Sequence, residues 1–167
     1  IELDVKKSLD FIGLRGLSLV CNAAYIHSRV RFEEGAPERD RPLAGQSPYL
    51  VNAGLFYQHD DKGISASLLY NRIGKRIESV GVPMQNQNED IPDIYEMPRN
   101  SLDLTFSKKI GKVVEIKAGI QDMLNSKIEY KQFVKLADEN GGKREREQLV
   151  RSYRPGVDIN VGVSLKF

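Results

Sequence analysis

The stretch V-D-I-N-V-G-V-S-L-K-F, Val157 to Phe167, alternates without a break. Val157, Ile159, Val161, Val163, Leu165 and Phe167 are apolar; Asp158, Asn160, Gly162, Ser164 and Lys166 stand between them. Successive side chains of a strand point to opposite faces, so this pattern predicts a strand with one greasy face and one polar or small face. Terminal residues usually fray and gain nothing from a large apolar side chain, yet the apolar set ends on an aromatic ring. A strand with one face on lipid and the other on a wet lumen accounts for such an ending.

The same period recurs upstream. Ile1 to Lys7, Leu17 to Val30, Pro48 to Gln58, Gly63 to Ile77, Pro98 to Ile110, Val113 to Phe133 and Arg151 to Phe167 give seven strand-like segments, with little helix signal. Period-2 patterning in most of them argues for half-buried antiparallel strands. The segments between them alternate in length. Ser8 to Gly16, His59 to Lys62 and Lys108 to Lys112 read as short turns; Arg31 to Ser47, Glu78 to Met97 and Lys131 to Val150 read as long polar loops. In an antiparallel meander all short turns then fall at one end and all long loops at the other. Outer-membrane barrels have that asymmetry, with the short turns periplasmic.

Composition excludes several alternatives. The 167 residues carry a formal net charge of +2, too balanced to advertise nucleic acid or an anionic membrane surface. Charged residues make up 29%, and no apolar run approaches the roughly 20 residues of a spanning helix. Membrane barrels escape that test because their strands alternate. Cys21 is the single cysteine, so neither a disulfide framework nor a thiolate metal cage is expected. Single-chain bacterial barrels have an even number of strands, eight or more, whereas seven are counted here. The expectation is therefore that residues 1–167 are the C-terminal part of a barrel domain, with further strands upstream.

Several stretches carry a family resemblance. R-P-L-A-G-Q-S-P-Y-L-V-N-A-G-L-F-Y-Q (Arg41 to Gln58), S-L-L-Y-N-R-I-G-K-R-I-E-S-V-G (Ser67 to Gly81) and D-I-Y-E-M-P-R-N-S-L-D-L-T-F-S-K-K-I-G (Asp93 to Gly111) are three of them. E-I-K-A-G-I-Q-D-M-L-N (Glu115 to Asn125), Tyr153-Arg154-Pro155-Gly156 and the terminal V-G-V-S-L-K-F complete the set. In combination the chain resembles the C-terminal portion of a TonB-dependent outer-membrane receptor of the Bacteroidetes type. The resemblance implies an all-β fold: an antiparallel meander of seven strands, an incomplete segment of a barrel of about 22 strands whose lumen holds a plug. It implies a wall segment of a receptor and transporter in the Gram-negative outer membrane, taking up a scarce iron chelate, cobalamin or glycan, and not an enzyme. The implied partners are outer-membrane lipid, the plug and upstream strands, the outer-membrane assembly machinery, and an energy-coupling inner-membrane complex reached through the plug-bearing part. Gly162, Leu165 and Phe167 fit the C-terminal signal read by the assembly machinery, although Val161 stands where that signal usually has a polar residue.

No other constellation points to chemistry. His27 and His59 sit in different segments without a carboxylate at ligand spacing, so neither metal nor cofactor is expected. Glu89, Asp90 and Asp93 lack EF-hand spacing, and Lys143 to Glu147 mixes signs; both read as solvated loop. Tyr49, Tyr57, Tyr70 and Tyr153 read as interfacial anchors. Arg99 and Arg154, each beside a proline near a strand top, are expected to bond loop carboxylates. Individual ligand contacts are not legible. The alternatives are a smaller outer-membrane barrel acting as channel or enzyme, and a soluble β-sandwich that binds glycans or partners, since one-face alternation fits a sandwich too.

Overall fold

The computed structural model describes residues 1–83, 90–137 and 143–166. The strands are β1 (Glu2–Ser8), β2 (Leu17–Tyr25), β3 (Tyr49–His59), β4 (Ile64–Ile73), β5 (Arg76–Ser79), β6 (Ile94–Glu96), β7 (Arg99–Ile110), β8 (Val114–Gln121), β9 (Ile128–Ala137), β10 (Lys143–Tyr153) and β11 (Asp158–Leu165). All pairings are antiparallel. One sheet has the order β1-β2-β3-β4-β7-β8-β11 and the other β10-β9-β6-β5.

The second sheet prolongs the first. Residue numbers of partners sum to the same value in β4–β7, where Ile73 faces Arg99, and in β5–β6, where Arg76 faces Glu96. Four of the seven runs are therefore each divided in two, and the seven-run antiparallel meander stands. Two expectations need correction. The described part of Lys131 to Val150 is not loop but belongs to the β9–β10 hairpin, and Ile94–Glu96 inside Glu78 to Met97 is a strand. Arg144 to Gln148 has no apolar residue and Ile94–Glu96 is too short to show a period, so hydrophobic pattern does not reveal them. Main-chain pairing holds β10 instead, aided by the Lys131–Glu147 ion pair at 2.6 Å. The second predicted strand also ends early, at Tyr25 rather than Val30.

The register puts the apolar residues on one face. One row runs Ile159, Ile120, Leu104, Leu68, Leu55, Leu19 and ends on Lys7 in β1. Neighbouring rows hold Val161, Ala118, Phe106, Ala66, Tyr57 and Leu17 on one side and Leu102, Tyr70, Ala53, Cys21 and Val5 on the other. The opposite face is largely polar. Asn22 bonds Glu2, Asp4 and Asn52, and Asn71 bonds Asn52, a ladder across four strands. Ser65 bonds Ser107 at 2.7 Å and Ser67 bonds Thr105 at 2.6 Å.

The apolar band crosses the strands obliquely. Relative to the Ile159–Lys7 row, its centre in β1 (Leu3 and Val5) lies three residues toward the loops. In β11 (Ile159 to Leu165) it lies three residues toward the turns. That is six residues over six strand steps, or one per step. With about 3.3 Å per residue and about 4.8 Å between strands, the strands lean about 35° from the normal of the band.

Among the described residues, nothing packs on the greasy face as a second layer. Every substantial contact between strands joins hydrogen-bonded neighbours. The buried apolar side chains among the described residues, Ile77, Ile128 and Tyr130, all lie in the smaller sheet, whereas Ile159 and Val161 are 70% and 73% exposed. The sheet is open, with free edges at β1 and β11. A β-sandwich would bury this face against a partner sheet.

The short connections lie together. Gln58 N–H donates to Gly16 O at 2.8 Å, and Lys109 N–H to Gly63 O at 2.7 Å. The β1–β2 turn contains a short helical turn, Asp10–Ile12, tied by the Asp10 carboxylate, which accepts from the Ser8 hydroxyl at 2.6 Å and Gly16 N–H at 2.9 Å. Gly16 has φ +75°, and a Cβ there would sit 2.2 Å from Gln58 O, so the turn requires glycine twice over.

Candidate functional site

Alternation sorts the side chains above the band. In β4 and β7, Ile73, Arg99, Ser101 and Asp103 point to the polar face; the constant register carries that face to Ile77 and Tyr95. Pairing extends it to Lys131 and, two residues on, to Phe133. A cleft of about 360 Å³ opens on this side, lined by Lys75, Tyr95, Phe133, Asp93, Arg39 and Glu145 among others.

Its floor is aromatic. Tyr95 and Phe133 meet edge to face with centroids 5.7 Å apart. The Lys75 ammonium lies 4.6 Å from each ring centroid, so both π faces see one cation. Asp93 ties the wall together: its carboxylate accepts from Gly81 N–H at 2.7 Å and faces the Tyr95 hydroxyl at 3.4 Å. Burial, and then the neighbouring Asp93 charge, push the Tyr95 phenol above its ordinary range, so it stays a neutral donor at working pH. A side chain at Gly81 is barred, since a Cβ there would stand 2.0 Å from Ile91 O. Across the cleft the Arg39 guanidinium pairs with Asp90, joining the β2–β3 loop to the β5–β6 loop. Gly45 N–H donates to Ile77 O at 2.8 Å and anchors the first of these loops on the edge of β5.

Chemically the cleft offers two rings, one of them the neutral Tyr95 phenol, a cation held over them and several carboxylates. Among the described residues its lining holds no serine, cysteine or histidine. Among the described residues, too, no three His, Cys, Asp or Glu side chains group to hold a metal ion.

The residues singled out from sequence are dispersed. Gly162 and Leu165 both lie in β11, opposite Lys117 and Val114, while Phe167 lies outside the described residues. Leu165 is on the exposed greasy face and Gly162 on the polar face. His59 ends β3 and His27 lies in the loop after β2. Asp90 and Asp93 share the cleft, and Glu89 lies outside the described residues. Arg99 bonds the Asp122 carboxylate at 2.5 Å, as expected of it; Arg154 instead donates to a backbone carbonyl, Asn125 O, at 2.8 Å. Tyr49, Tyr57 and Tyr70 lie on the greasy face. At its loop-side rim Tyr49 accepts from Arg72 at 3.3 Å, and Tyr70 donates to Asn100 at 2.8 Å.

Sequence reading missed the cleft. Its available signal was two rings, Tyr95 and Phe133, in otherwise polar stretches, but nothing in the chain order says they meet. Comparison of the chain with family models, curated proteins and solved structures returned no match.

Proposed function

We propose that this chain is a wall segment of an outer-membrane β-barrel that acts as a ligand receptor and transporter of the TonB-dependent kind. The observation that carries the reading is the uncovered apolar band, continuous over seven strands that lean about 35° from its normal. Barrel strands in membranes tilt by about 35–45°, and a flat apolar slab such as a bilayer accounts for a band that drifts from strand to strand. On β4 the band runs from Ile64 to the Arg72 rim, eight residues or about 26 Å. After the tilt this is about 22 Å along the membrane normal, near the ~25 Å apolar belt of such barrels. The polar face with its amide and hydroxyl ladders then lines the lumen. The cleft of Lys75, Tyr95 and Phe133 lies on that side at the loop end, where a ligand arriving from outside is met first. Free edges at β1 and β11 pair with the remaining strands of the barrel, since lipid tolerates no open sheet edge. Gly162 and Leu165 on β11, with Phe167, serve the assembly machinery through strand addition at the free edge of β11. The greasy-face exposure and the family resemblance support this reading; a soluble sandwich has no second layer to offer.

Removal of residues 98–167 from the chromosomal copy tests it. The truncated protein should vanish from the outer-membrane fraction, and growth should fail on one limiting nutrient in a panel of iron chelates, cobalamin and glycans. Recovery of the intact protein from the soluble fraction, with unchanged growth of the deletion strain on the whole panel, refutes the proposal.

A further inference from the structure

The run Lys143 to Glu147 reads as mixed charge in sequence, but the β9–β10 register separates the signs. Glu147 pairs with Phe133 and so lies on the polar face, as does Glu145 in the cleft. Arg146 pairs with Val134 on the other face, with Arg144 two residues away. A bulge between Leu149 and Arg151 resets the phase, so Arg151 joins them, opposite Tyr130. This face is continuous with the greasy one: Tyr153 faces Ile128, and the partner sums of β9–β10 and β8–β11 differ by two, an even number that preserves which residues share a side.

The outward surface just beyond the band is therefore basic and aromatic. The Arg151 guanidinium lies 4.1 Å from the Tyr130 centroid and 5.8 Å from that of Tyr153, and the two rings stack at 6.5 Å. The described carboxylates nearby are Glu96, taken by Arg76 at 2.7 Å, and Glu78, 3.9 Å from Arg151. Arg144 and Arg146 form no ion pair with any described residue and are exposed.

Resting on the proposed lipid-facing wall, we infer that Arg144, Arg146 and Arg151, with the exposed Tyr153, form a site for the phosphate groups of anionic lipid headgroups at the loop-side rim, the buried Tyr130 ring holding the Arg151 guanidinium in place. Guanidinium forks match phosphate geometry, and tyrosines favour the headgroup level. The charge is complementary, and the site is joined without a break to the surface that meets the acyl chains.

The test is flotation of the 167-residue chain, diluted from detergent, with vesicles of phosphatidylcholine alone or mixed with phosphatidic acid. Each arginine near an anionic surface contributes about fivefold. R146Q/R151Q should thus lose about 30-fold of the preference for phosphatidic acid vesicles, while binding phosphatidylcholine as before. R146K/R151K should keep most of the preference, which separates lost charge from misfolding. K109Q/K117Q, removing equal charge from the polar face, should change it little. An equal loss in K109Q/K117Q, or none in R146Q/R151Q, overturns the inference and leaves the lipid-facing wall intact. Abolition by inorganic phosphate at matched ionic strength assigns the site to a soluble anion and overturns it too. Absence of binding to either vesicle defeats the wall itself.

Discussion

Leu68 and Leu69 are the same residue on adjacent positions of one strand, yet they face opposite ways. Leu68 sits in the greasy row between Leu55 and Leu104; Leu69 pairs with Gly54 and Asp103 on the polar face. Leu68 is four residues from Ile64 at one rim and four from Arg72 at the other, about 13 Å along the strand and about 11 Å along the membrane normal. That is the middle of the belt, where an arginine on the lipid face costs about 2–4 kcal/mol. Leu68→Arg should therefore lower the ratio of folded to unfolded protein by between about 30-fold and nearly a thousandfold. Leu69 is 38% exposed and touches the Gly54 backbone region, so Leu69→Arg sacrifices some packing but leaves its charge in a wet lumen, at a cost of about 1 kcal/mol or less. The assay is a urea titration of both variants assembled in lipid vesicles, followed by tyrosine fluorescence and by heat-dependent migration in detergent gels. Equal destabilisation by the two substitutions refutes the assignment of the greasy face to lipid.

The Asp10 carboxyl is held below its usual range, first by the Ser8 hydroxyl and then by Gly16 N–H. A depressed folded pKa stabilises the turn above the ordinary carboxyl range, and the effect is lost as pH falls through the folded value; the protection of the Gly16 amide, measured as exchange relative to its intrinsic rate at each pH, should fall on acidification, whereas in Asp10→Asn it is low throughout. Gly81→Ala should break the Val82–Ile91 bridge, because its methyl has no room beside Ile91 O; limited proteolysis within residues 80–93 should rise severalfold while the band strands stay protected. In intact cells, an impermeant thiol reagent should label Glu34→Cys in the β2–β3 loop and spare Asp61→Cys in the β3–β4 turn, in a Cys21→Ser background; the opposite pattern reverses the proposed orientation.

The seven-run meander was legible because strands with one apolar face advertise themselves twice here, through period 2 and through the alternation of short and long connections. Ile64, Ala66, Leu68 and Tyr70 place themselves on one face without any knowledge of their neighbours. The obliquity of the band is also latent in the sequence, but it needs the register, which hydrophobic pattern alone fixes only to within two residues. Only the part of the β9–β10 hairpin within Lys131 to Val150 reads as loop, because Arg144 to Gln148 contains no apolar residue that a period could find. The cleft was invisible for a different reason. Lys75, Tyr95, Phe133 and Arg39 come from four separate stretches, and each alone reads as a solvated polar segment or a stray ring. Arg99 was anticipated as a carboxylate partner, though not that Asp122, at φ +51°, would be the acceptor.

The same alternation that builds the wall also divides its chemistry. A strand that must give lipid one face can place a charge only on the other, and inside the band the rule holds: Asp103, Glu115, Lys117 and Asp158 all point to the polar side. Beyond the band the constraint lifts, and there arginines move outward on β10 while the glutamates between them stay inward. Nothing about folding in water favours that separation, since interleaved signs on one face would pair better across strands. A cation-rich outer rim above an apolar belt makes sense where the surroundings change from acyl chain to phosphate within a few ångströms. Lys7, His59 and Lys108, the polar side chains on the greasy face near the turn end, then mark where the belt stops on the other side. Between Lys7, His59 and Lys108 at one limit and the level of the Arg72 rim at the other, the described greasy face carries no charged side chain. An open sheet bounded in this way is what the proposed bilayer wall requires, and on that proposal its two unpaired edges are the places where further strands would join.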